Sequence, residues 1–373
     1  MAQPGKLRLD VETFLARHWQ REPLVIRGAV ADFNPPLDAD ELAGLAMEDG
    51  VESRIIEYAA HQWHLEHGPF EVEAFHRSAP WTLLVQAVDH HIPAVARLRQ
   101  LVDFLPQWRI DDVMVSYAVD GGSVGPHYDN YDVFLLQGEG QRRWQVGQYC
   151  DEHTPLLPHS ELRILSDFQP QAEYLLGPGD VLYLPPGVAH WGIAEGACTT
   201  FSLGFRAPRL QDLVSRYCDA LLELMPADQF YRDPGLQAAR LQGEIRQDDM
   251  ERVVTQVQAA LDADAGNRWL GELVTEPRYD TLPEDDALTS ALEQLCAGHC
   301  EIVLAAASRL AWMNSNDCIL VFANGESREF PAGLKPLLLD LLATERLAAG
   351  CYGGADQHSL LEYLLQTGCI YVE

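Results

Sequence analysis

The sequence predicts a mainly β domain, followed by a helical segment and a small α+β domain. Short apolar runs separated by Gly and Pro fill residues 1–207, a pattern typical of a barrel or jelly roll. From Leu210 onward, apolar residues recur at spacings of three and four, which indicates amphipathic helices. A strand entering an Asn-Gly turn and one further helix lie near the end of the chain. We therefore expect domains at 1–207, 208–265 and 266–373.

The first domain is expected to open with two helices and a strand. The pattern predicts a helix over residues 11–21, a strand over 23–28 and a second helix over 38–47, with Asp38 as its N-cap. The strands of the β-rich part are then expected at residues 53–59, 81–88, 112–119, 132–137, 143–147, 173–176, 181–184 and 199–205.

Three potential metal ligands lie in two turn-rich contexts of this part. In Gly125-Pro126-His127-Tyr128-Asp129, the alternation of a strand places His127 and Asp129 on the same side. His190 follows a rigid Pro-Pro-Gly bend. A single histidine on an apolar strand is more often a core residue, but three ligands in matching contexts favour a metal centre. Two imidazoles and one carboxylate leave about three octahedral positions open, the pattern of non-haem Fe(II) oxygenases.

The residues around these ligands resemble a known family. The stretch 111–205 resembles the JmjC branch of the cupin superfamily of 2-oxoglutarate oxygenases, and residues 121–134 with Arg142-Arg143-Trp144 closely resemble the bacterial ribosomal oxygenases. The resemblance implies a double-stranded β-helix (the cupin or JmjC jelly roll), a winged-helix tail, and Fe(II), 2-oxoglutarate and dioxygen as cofactor and co-substrates. It also implies hydroxylation of an arginine β-carbon in a large-subunit ribosomal protein.

The resemblance further assigns a residue to the co-substrate. Such enzymes hold the distal carboxylate of 2-oxoglutarate with a basic residue on a barrel strand, a position that Arg142 occupies. The planar guanidinium has several N–H donors that match the oxygens of a carboxylate, and the Ser116 hydroxyl would complete the binding site for that carboxylate. Arg143 is the second candidate, since adjacent strand residues face opposite ways and an error of one residue exchanges them.

A substrate pocket is expected on the strand that carries Ser116. Alternation places Asp112, Met114 and Ser116 on one face, and a buried carboxylate there needs a cation or donors. A substrate guanidinium would serve, with Met114 and Tyr131 along its aliphatic stem, as the resemblance also suggests. Ser202 is a weaker inward-facing candidate. The alternative is that Asp112 pairs with one of the protein's own arginines.

The charge balance bears on the partner. The chain has 56 acidic and 26 basic side chains, a formal net charge of −30, and its only lysines are Lys6 and Lys335. This opposes nucleic-acid binding, which needs clustered cations, and favours a basic protein partner such as a ribosomal protein. The alternative is that the acidity only maintains solubility.

Other features concern location and cysteine chemistry. The amino terminus lacks the apolar run of a signal peptide, and no segment approaches a membrane span, so we expect a cytosolic protein. The eight cysteines lack the paired spacing of a disulfide framework or zinc ribbon, so free thiols are expected.

Two helical runs, 210–225 and 250–261, carry apolar stripes that need a partner surface. They would fold against each other or meet their copies in a homodimer, which the resemblance favours. Farther on, a strand over 318–326 with its Asn-Gly turn and a helix over 334–347 suggest a small winged domain. That segment has about ten more acidic than basic residues, which opposes a DNA-reading role.

Three alternative functions are consistent with parts of the sequence. A cupin isomerase or dioxygenase that ignores 2-oxoglutarate would have no need of Arg142. A non-catalytic binding cupin would be expected to have lost one of the three ligands. An oxygenase acting on methyl-lysine or RNA would need an aromatic cage or a basic groove, and neither is visible in the sequence.

Overall fold

The computed structural model describes residues 6–238, 241–279, 282 and 285–373. The chain forms two compact units, the first ending at Ala207 and the second beginning at Pro208. Every helix in the described ranges is too short or too polar to span a bilayer.

The first unit is mainly β. Its elements are α1 (Val11–Arg17), β1 (Leu24–Ile26), α2 (Ala39–Ala46), β2 (Ser53–Ala59), β3 (Gln62–His67), β4 (Trp81–Val85), α3 (Pro93–Ala96), β5 (Ile110–Ala118), β6 (Val133–Gln137), β7 (Gln141–Tyr149), β8 (Ala172–Leu176), β9 (Val181–Leu184), β10 (Val188–Glu195) and β11 (Cys198–Phe205).

These strands form two antiparallel sheets. One has eight strands in the order β1-β9-β6-β11-β5-β4-β2-β3, and the other has three in the order β10-β7-β8. Apolar residues of both sheets share one buried cluster, in which Leu135 and Leu182 of the large sheet meet Trp144 and Val146 of the small sheet. The two sheets therefore pack face to face, as in the jelly roll that the sequence predicts.

The opposite face of the large sheet is covered by the N-terminal helices. Phe14 of α1 is buried, and its ring lies 5.6 Å from Phe134 and 4.9 Å from Tyr183 between centroids. Strands β6 and β11 are thus buried on both faces, which explains why their sequences read as continuous apolar runs. On these strands, the side chains that point away from the helices face the interior of the barrel.

The second unit combines helices with two small sheets. Its elements are α4 (Leu210–Leu224), α5 (Gln247–Leu261), α6 (Arg268–Thr275), α7 (Asp285–Ala297), β12 (Ile302–Leu304), β13 (Leu310–Ser315), β14 (Cys318–Ala323), β15 (Glu326–Pro331), α8 (Lys335–Thr344), β16 (Arg346–Leu347), α9 (Ala355–Gln366) and β17 (Ile370–Val372). The sheets have the orders β16-β12-β17 and β13-β14-β15, and a core from α8, α9 and β14 joins them.

Helices α4 and α5 lack such a core. Leu221 is the one buried residue of α4, and α5 has none among its residues, all of which the structure describes. The exposed apolar surface of α4 and α5 consists of Leu210, Val214, Leu222, Leu224, Met250, Val253, Val254, Val257 and Leu261.

Two local predictions are confirmed in detail. Asp38 caps α2 by accepting from the backbone of Glu41 at 2.9 Å, while the Glu41 side chain accepts from the backbone of Asp38 at 2.9 Å. Between β14 and β15, Asn324 and Gly325 adopt φ angles of +47° and +88°, as a tight hairpin turn requires.

Two helix ends were wrong. The first helix ends at Arg17 instead of residue 21, because the backbone of Gln20 donates to Tyr183 Oη at 2.8 Å and Gln20 takes a φ of +56°. The helix expected to reach residue 347 ends at Thr344 because Glu345 has a φ of +60° and the next two residues pair with β12. Both errors come from contacts distant in the sequence.

Candidate metal centre

Three side chains with metal-ligating atoms converge in the first unit. His127, Asp129 and His190 each offer one ligand atom, and these atoms lie within 4.8 Å of one another. The two imidazole rings are 4.2 Å apart between centroids, and His190 Nε2 is 3.7 Å from Asp129 Oδ2. Two nitrogens and one carboxylate oxygen this close suit a six-coordinate ion that keeps about three positions for other ligands.

The main chain brings these ligands together. His127 and His190 form an antiparallel bridge, in which each N–H donates to the other residue's carbonyl, at 3.0 and 2.8 Å. Gly187 donates its N–H to the Asp129 carbonyl at 2.7 Å, and its φ of +80° lies in the left-handed region that suits glycine. Residues 127–129 lie outside the named strands, so one bridge takes the place of the strand that was expected there.

Hydrogen bonds fix the orientation of both imidazoles. Nδ1 of His127 donates to the Gly125 carbonyl at 2.9 Å, and Nδ1 of His190 donates to the Val188 carbonyl at 3.0 Å. Because a carbonyl only accepts, Nδ1 carries the proton and Nε2 is left as the ligand atom. Burial lowers the pKa of His190 to about 4, with a further contribution from His127, so its imidazole stays neutral.

The third ligand lies beside a tyrosine at the edge of the site. The negative charge of Asp129 is the main cause that raises the pKa of Tyr131, and burial and Asp112 add to it. Tyr131 nevertheless keeps 41% of its surface exposed. The Tyr131 side chain is therefore near the ligand Asp129 and also in contact with solvent.

A buried arginine lies two residues from a buried tryptophan on β7. Arg142 is 4% exposed, and its Cζ lies 5.8 Å from the Trp144 ring centroid, which lies 6.0 Å from the ring of His190. In the part of the chain that the structure describes, Nε and Nη2 of Arg142 and Nε1 of Trp144 have no hydrogen-bond partner. Such buried donors are costly unless a ligand accepts from them.

Ser116 lies toward the same region of the barrel. It is buried on β5, opposite Thr200 of β11. Two residues along β5, Ala118 packs against Ala194 of β10, which pairs with Arg142 in the register. Ser116 and Arg142 thus lie on facing sheets, on either side of the contact between Ala118 and Ala194.

The predicted substrate residues form a second group. Asp112 is 4% exposed and accepts from Gln86 Nε2 at 2.6 Å. Ser202 of β11 is opposite Met114 of β5, and Met114 is two residues from Asp112 on the same face of the strand. The structure therefore brings Asp112, Met114 and Ser202 together, with Tyr131 close enough for Asp112 to raise its pKa.

Two residues of the site were missed at the level of sequence. Trp144 has the same parity on its strand as Arg142, a signal that would have placed it inside the barrel. Gln86 follows β4 directly and gave no such signal, because its bond to Asp112 joins residues 26 positions apart.

The residues present fit the implied cofactor and co-substrate. Two imidazoles and one carboxylate are the donor set of non-haem Fe(II) centres. The buried guanidinium, with two nitrogens lacking partners among the described residues, requires an anion, which a dicarboxylic acid would provide.

Comparison with known proteins agrees with this arrangement. The family model described as JmjC domain matches residues 97–213, and the model described as ROXA-like winged helix matches residues 244–367. The chain is 36% identical over 383 residues to ribosomal protein uL16 3-hydroxylase of Escherichia coli (strain K12), covering 99% of both chains. It is 40% identical over 206 residues to a probable ribosomal oxygenase of Haemophilus influenzae, covering 54% of this chain and 51% of that one.

Solved structures agree as well. The X-ray structure of E. coli YcfD superposes with a TM-score of 0.83 at 33% identity, covering 100% of both chains. The ribosomal oxygenase YcfD of E. coli in complex with cobalt and 2-oxoglutarate superposes with a TM-score of 0.80 at 34% identity, covering 99% of both chains.

The jelly roll with its two-histidine, one-carboxylate centre defines a JmjC-type oxygenase that uses Fe(II), 2-oxoglutarate and dioxygen. More narrowly, the chain belongs to the ribosomal oxygenase family. The predicted family, fold class, enzyme class and cofactors are confirmed.

Proposed function

We propose that this enzyme hydroxylates an arginine side chain, at the β-carbon, in a large-subunit ribosomal protein. The observation that carries the proposal is the buried carboxylate of Asp112, which, like the ligand Asp129, is close enough to Tyr131 to raise its pKa. A carboxylate there selects a cationic side chain. The E. coli relative is named for 3-hydroxylation of uL16, and C3 of an amino acid is its β-carbon.

His127, Asp129 and His190 are proposed as the iron ligands. When bound, Fe(II) with 2-oxoglutarate and dioxygen supplies the oxidising power, releasing succinate and carbon dioxide as one oxygen atom enters a C–H bond. The protein's part is to hold the ligands on one face, keep His190 neutral and place one C–H bond close by.

Arg142 and Ser116 are proposed to hold the distal carboxylate of 2-oxoglutarate. Burial of Arg142 and the lack of described partners for two of its nitrogens support this role. Arg143 is a poor candidate because it is already paired with Glu173 and Glu195. Trp144 neighbours both Arg142 and His190, and because its Nε1–H has no partner among the described residues we propose it as a further donor to the same ligand.

The substrate arginine is proposed to pair with Asp112. Gln86 donates to Oδ2 of Asp112 and so restrains the carboxylate that would contact the guanidinium. Met114 and Tyr131 would contact the aliphatic stem, and Ser202, opposite Met114, offers a hydroxyl beside it. The formal net charge of −30 would attract a basic ribosomal protein at long range.

The enzyme is also proposed to act as a homodimer through residues 208–265, with residues 266–373 as the winged domain and 1–207 as the catalytic domain. The exposed apolar surface of α4 and α5 supports this arrangement, because contiguous apolar patches of this kind mark protein interfaces. The same helical faces on two copies would cover each other under twofold symmetry. Since ribosomal proteins are made and assembled in the cytoplasm, we propose that location.

The test is aerobic incubation of the iron-loaded enzyme with 2-oxoglutarate and ribosomal proteins, followed by mass spectrometry of the products. We expect a gain of one oxygen atom on an arginine of one large-subunit protein. His127→Ala should abolish both the gain and succinate formation, whereas His153→Ala, at an exposed histidine, should leave both unchanged. Oxidation of another residue type would contradict the arginine assignment, and full activity of His127→Ala would contradict the ligand assignment.

A further inference from the structure

A buried serine joins the two segments that carry the metal ligands. Ser123 lies between β5 and His127, and its Oγ accepts two hydrogen bonds, from Trp191 Nε1 at 2.8 Å and from the Gly125 N–H at 3.0 Å. Trp191 directly follows the ligand His190 on β10. One hydroxyl group is therefore bonded to both ligand-bearing segments.

The bond to Gly125 continues to the other imidazole. The Gly125 carbonyl accepts from Nδ1 of His127 at 2.9 Å, so the peptide units on the two sides of this glycine hold the serine and the histidine. Gly125 has a φ of +82°, and a Cβ there would lie 3.0 Å from the Trp63 ring. A side chain at this position would meet the indole of Trp63, so the glycine is retained and the serine hydroxyl is a side-chain group that restrains it.

Backbone pairing flanks this position, but the Gly125 N–H is bonded to the serine side chain. The ligand segment meets β10 through two isolated bridges, Ser123 with Ile193 and His127 with His190. Gly125 lies between them, and its N–H is bonded to the serine side chain. Ser123 therefore holds the N–H side of Gly125, the residue whose carbonyl accepts from His127.

We infer that Ser123 is a positioning residue for the metal centre, acting with Trp191 to direct His127 Nε2 toward the point shared with His190 and Asp129. It does not itself contribute a ligand atom. Partners behind a metal-binding histidine fix its ring and tune its basicity, and their loss weakens metal binding by about 10- to 100-fold. The inference rests on the proposed ligand assignment.

The test is titration of the metal-free, full-length enzyme with Co²⁺, which reports affinity and an absorption spectrum sensitive to ligand geometry. Ser123→Ala should weaken Co²⁺ binding about tenfold and alter the spectrum. Trp191→Phe keeps the ring against Phe168 and removes only the N–H, so a smaller loss with the same spectral change is expected. The double variant should bind no more weakly than Ser123→Ala alone, because both changes act through one hydroxyl.

Ser166→Ala is the matched control, since the hydroxyl of that exposed serine donates to the Pro155 carbonyl and not to Gly125 or Trp191. The inference would be overturned if Ser123→Ala or Trp191→Phe bound Co²⁺ with the affinity and spectrum of the wild type. It would also be overturned if the losses of affinity were additive in the double variant. A serine that served only the fold would lower the melting temperature without moving the spectrum. His127→Ala in the same titration tests the ligand assignment separately. If this variant bound Co²⁺ as tightly as the wild type, the proposed ligand assignment itself would be refuted.

Discussion

Arg142 and Arg143 are adjacent in the sequence but lie on opposite faces of β7. Arg142 points into the barrel and is almost completely buried, and two of its nitrogens have no partner in the described ranges. Arg143 points outward and pairs with Glu173 and Glu195 on the two neighbouring strands. The strand's alternation thus separates a guanidinium that is available to a ligand from one that is satisfied by the protein.

Arg142→Ala should raise the concentration of 2-oxoglutarate needed for half-maximal succinate formation by about 10- to 100-fold. This is the loss of affinity expected when a hydrogen bond to a charged group is removed. Arg143→Ala, which removes the neighbouring guanidinium, should leave that concentration nearly unchanged. Succinate is measured against 2-oxoglutarate concentration for both variants. The reverse pattern would transfer the anchoring role to Arg143.

Trp144→Phe should weaken 2-oxoglutarate binding by about two- to tenfold, because it removes one buried donor. The indole of Trp144 packs directly against Gly192, since a Cβ added to that glycine would lie 2.7 Å from the ring. The smaller phenyl ring fits in the same place. Binding is followed without oxygen, through the absorbance of the metal complex with 2-oxoglutarate. Trp81→Phe is the control, since Trp81 packs in the cluster on the other face of the large sheet. An unchanged affinity in Trp144→Phe would mean that the N–H serves another partner.

Asp112→Asn should lower hydroxylation of the ribosomal protein by at least about tenfold in kcat/KM, because a neutral amide cannot pair with a guanidinium in the same way. Succinate formation without substrate should persist, since the iron and 2-oxoglutarate sites are untouched. Asp111→Asn is the matched control, because Asp111 pairs with Arg206. Equal loss of hydroxylation and of substrate-free turnover would place Asp112 in the co-substrate site instead.

Leu222→Glu should shift the protein from dimer to monomer, because it places a charge within the exposed apolar surface of α4 and α5. Sedimentation velocity would distinguish the mass of one chain, 41.6 kDa, from twice that value. Leu339→Glu, at an exposed leucine of α8, is the matched control and should leave the mass unchanged. A monomeric wild-type enzyme would refute the proposed dimer.

Sequence patterns that repeat every two residues predicted much of this site. Alternation placed Asp112, Met114 and Ser116 on one face of β5, and in the structure Ala118 of that face packs against Ala194 of the small sheet. The same rule failed to anticipate β3, because Gln62–His67 is polar and aromatic and becomes a strand through its pairing with β2. Whether an edge segment of this kind forms a strand depends more on pairing with the neighbouring strand than on its own composition.

Contacts between distant residues account for what the sequence could not give. The bond of Gln86 to Asp112 and that of Trp191 to Ser123 join residues 26 and 68 positions apart, and neither pair carries a periodic signal. The end of α1 at Arg17 depends likewise on a contact between Gln20 and Tyr183. Local propensity cannot report such bonds, because they exist only once the sheets have formed.

The reciprocal main-chain bonds between His127 and His190 bear on what the polypeptide does without its ion. In a zinc finger, coordination itself drives folding, so a chelator unravels the domain. Here the two imidazoles are already neighbours through their own peptide groups. Removal of the metal should therefore abolish activity but leave the protein folded, and addition of Fe(II) should restore activity.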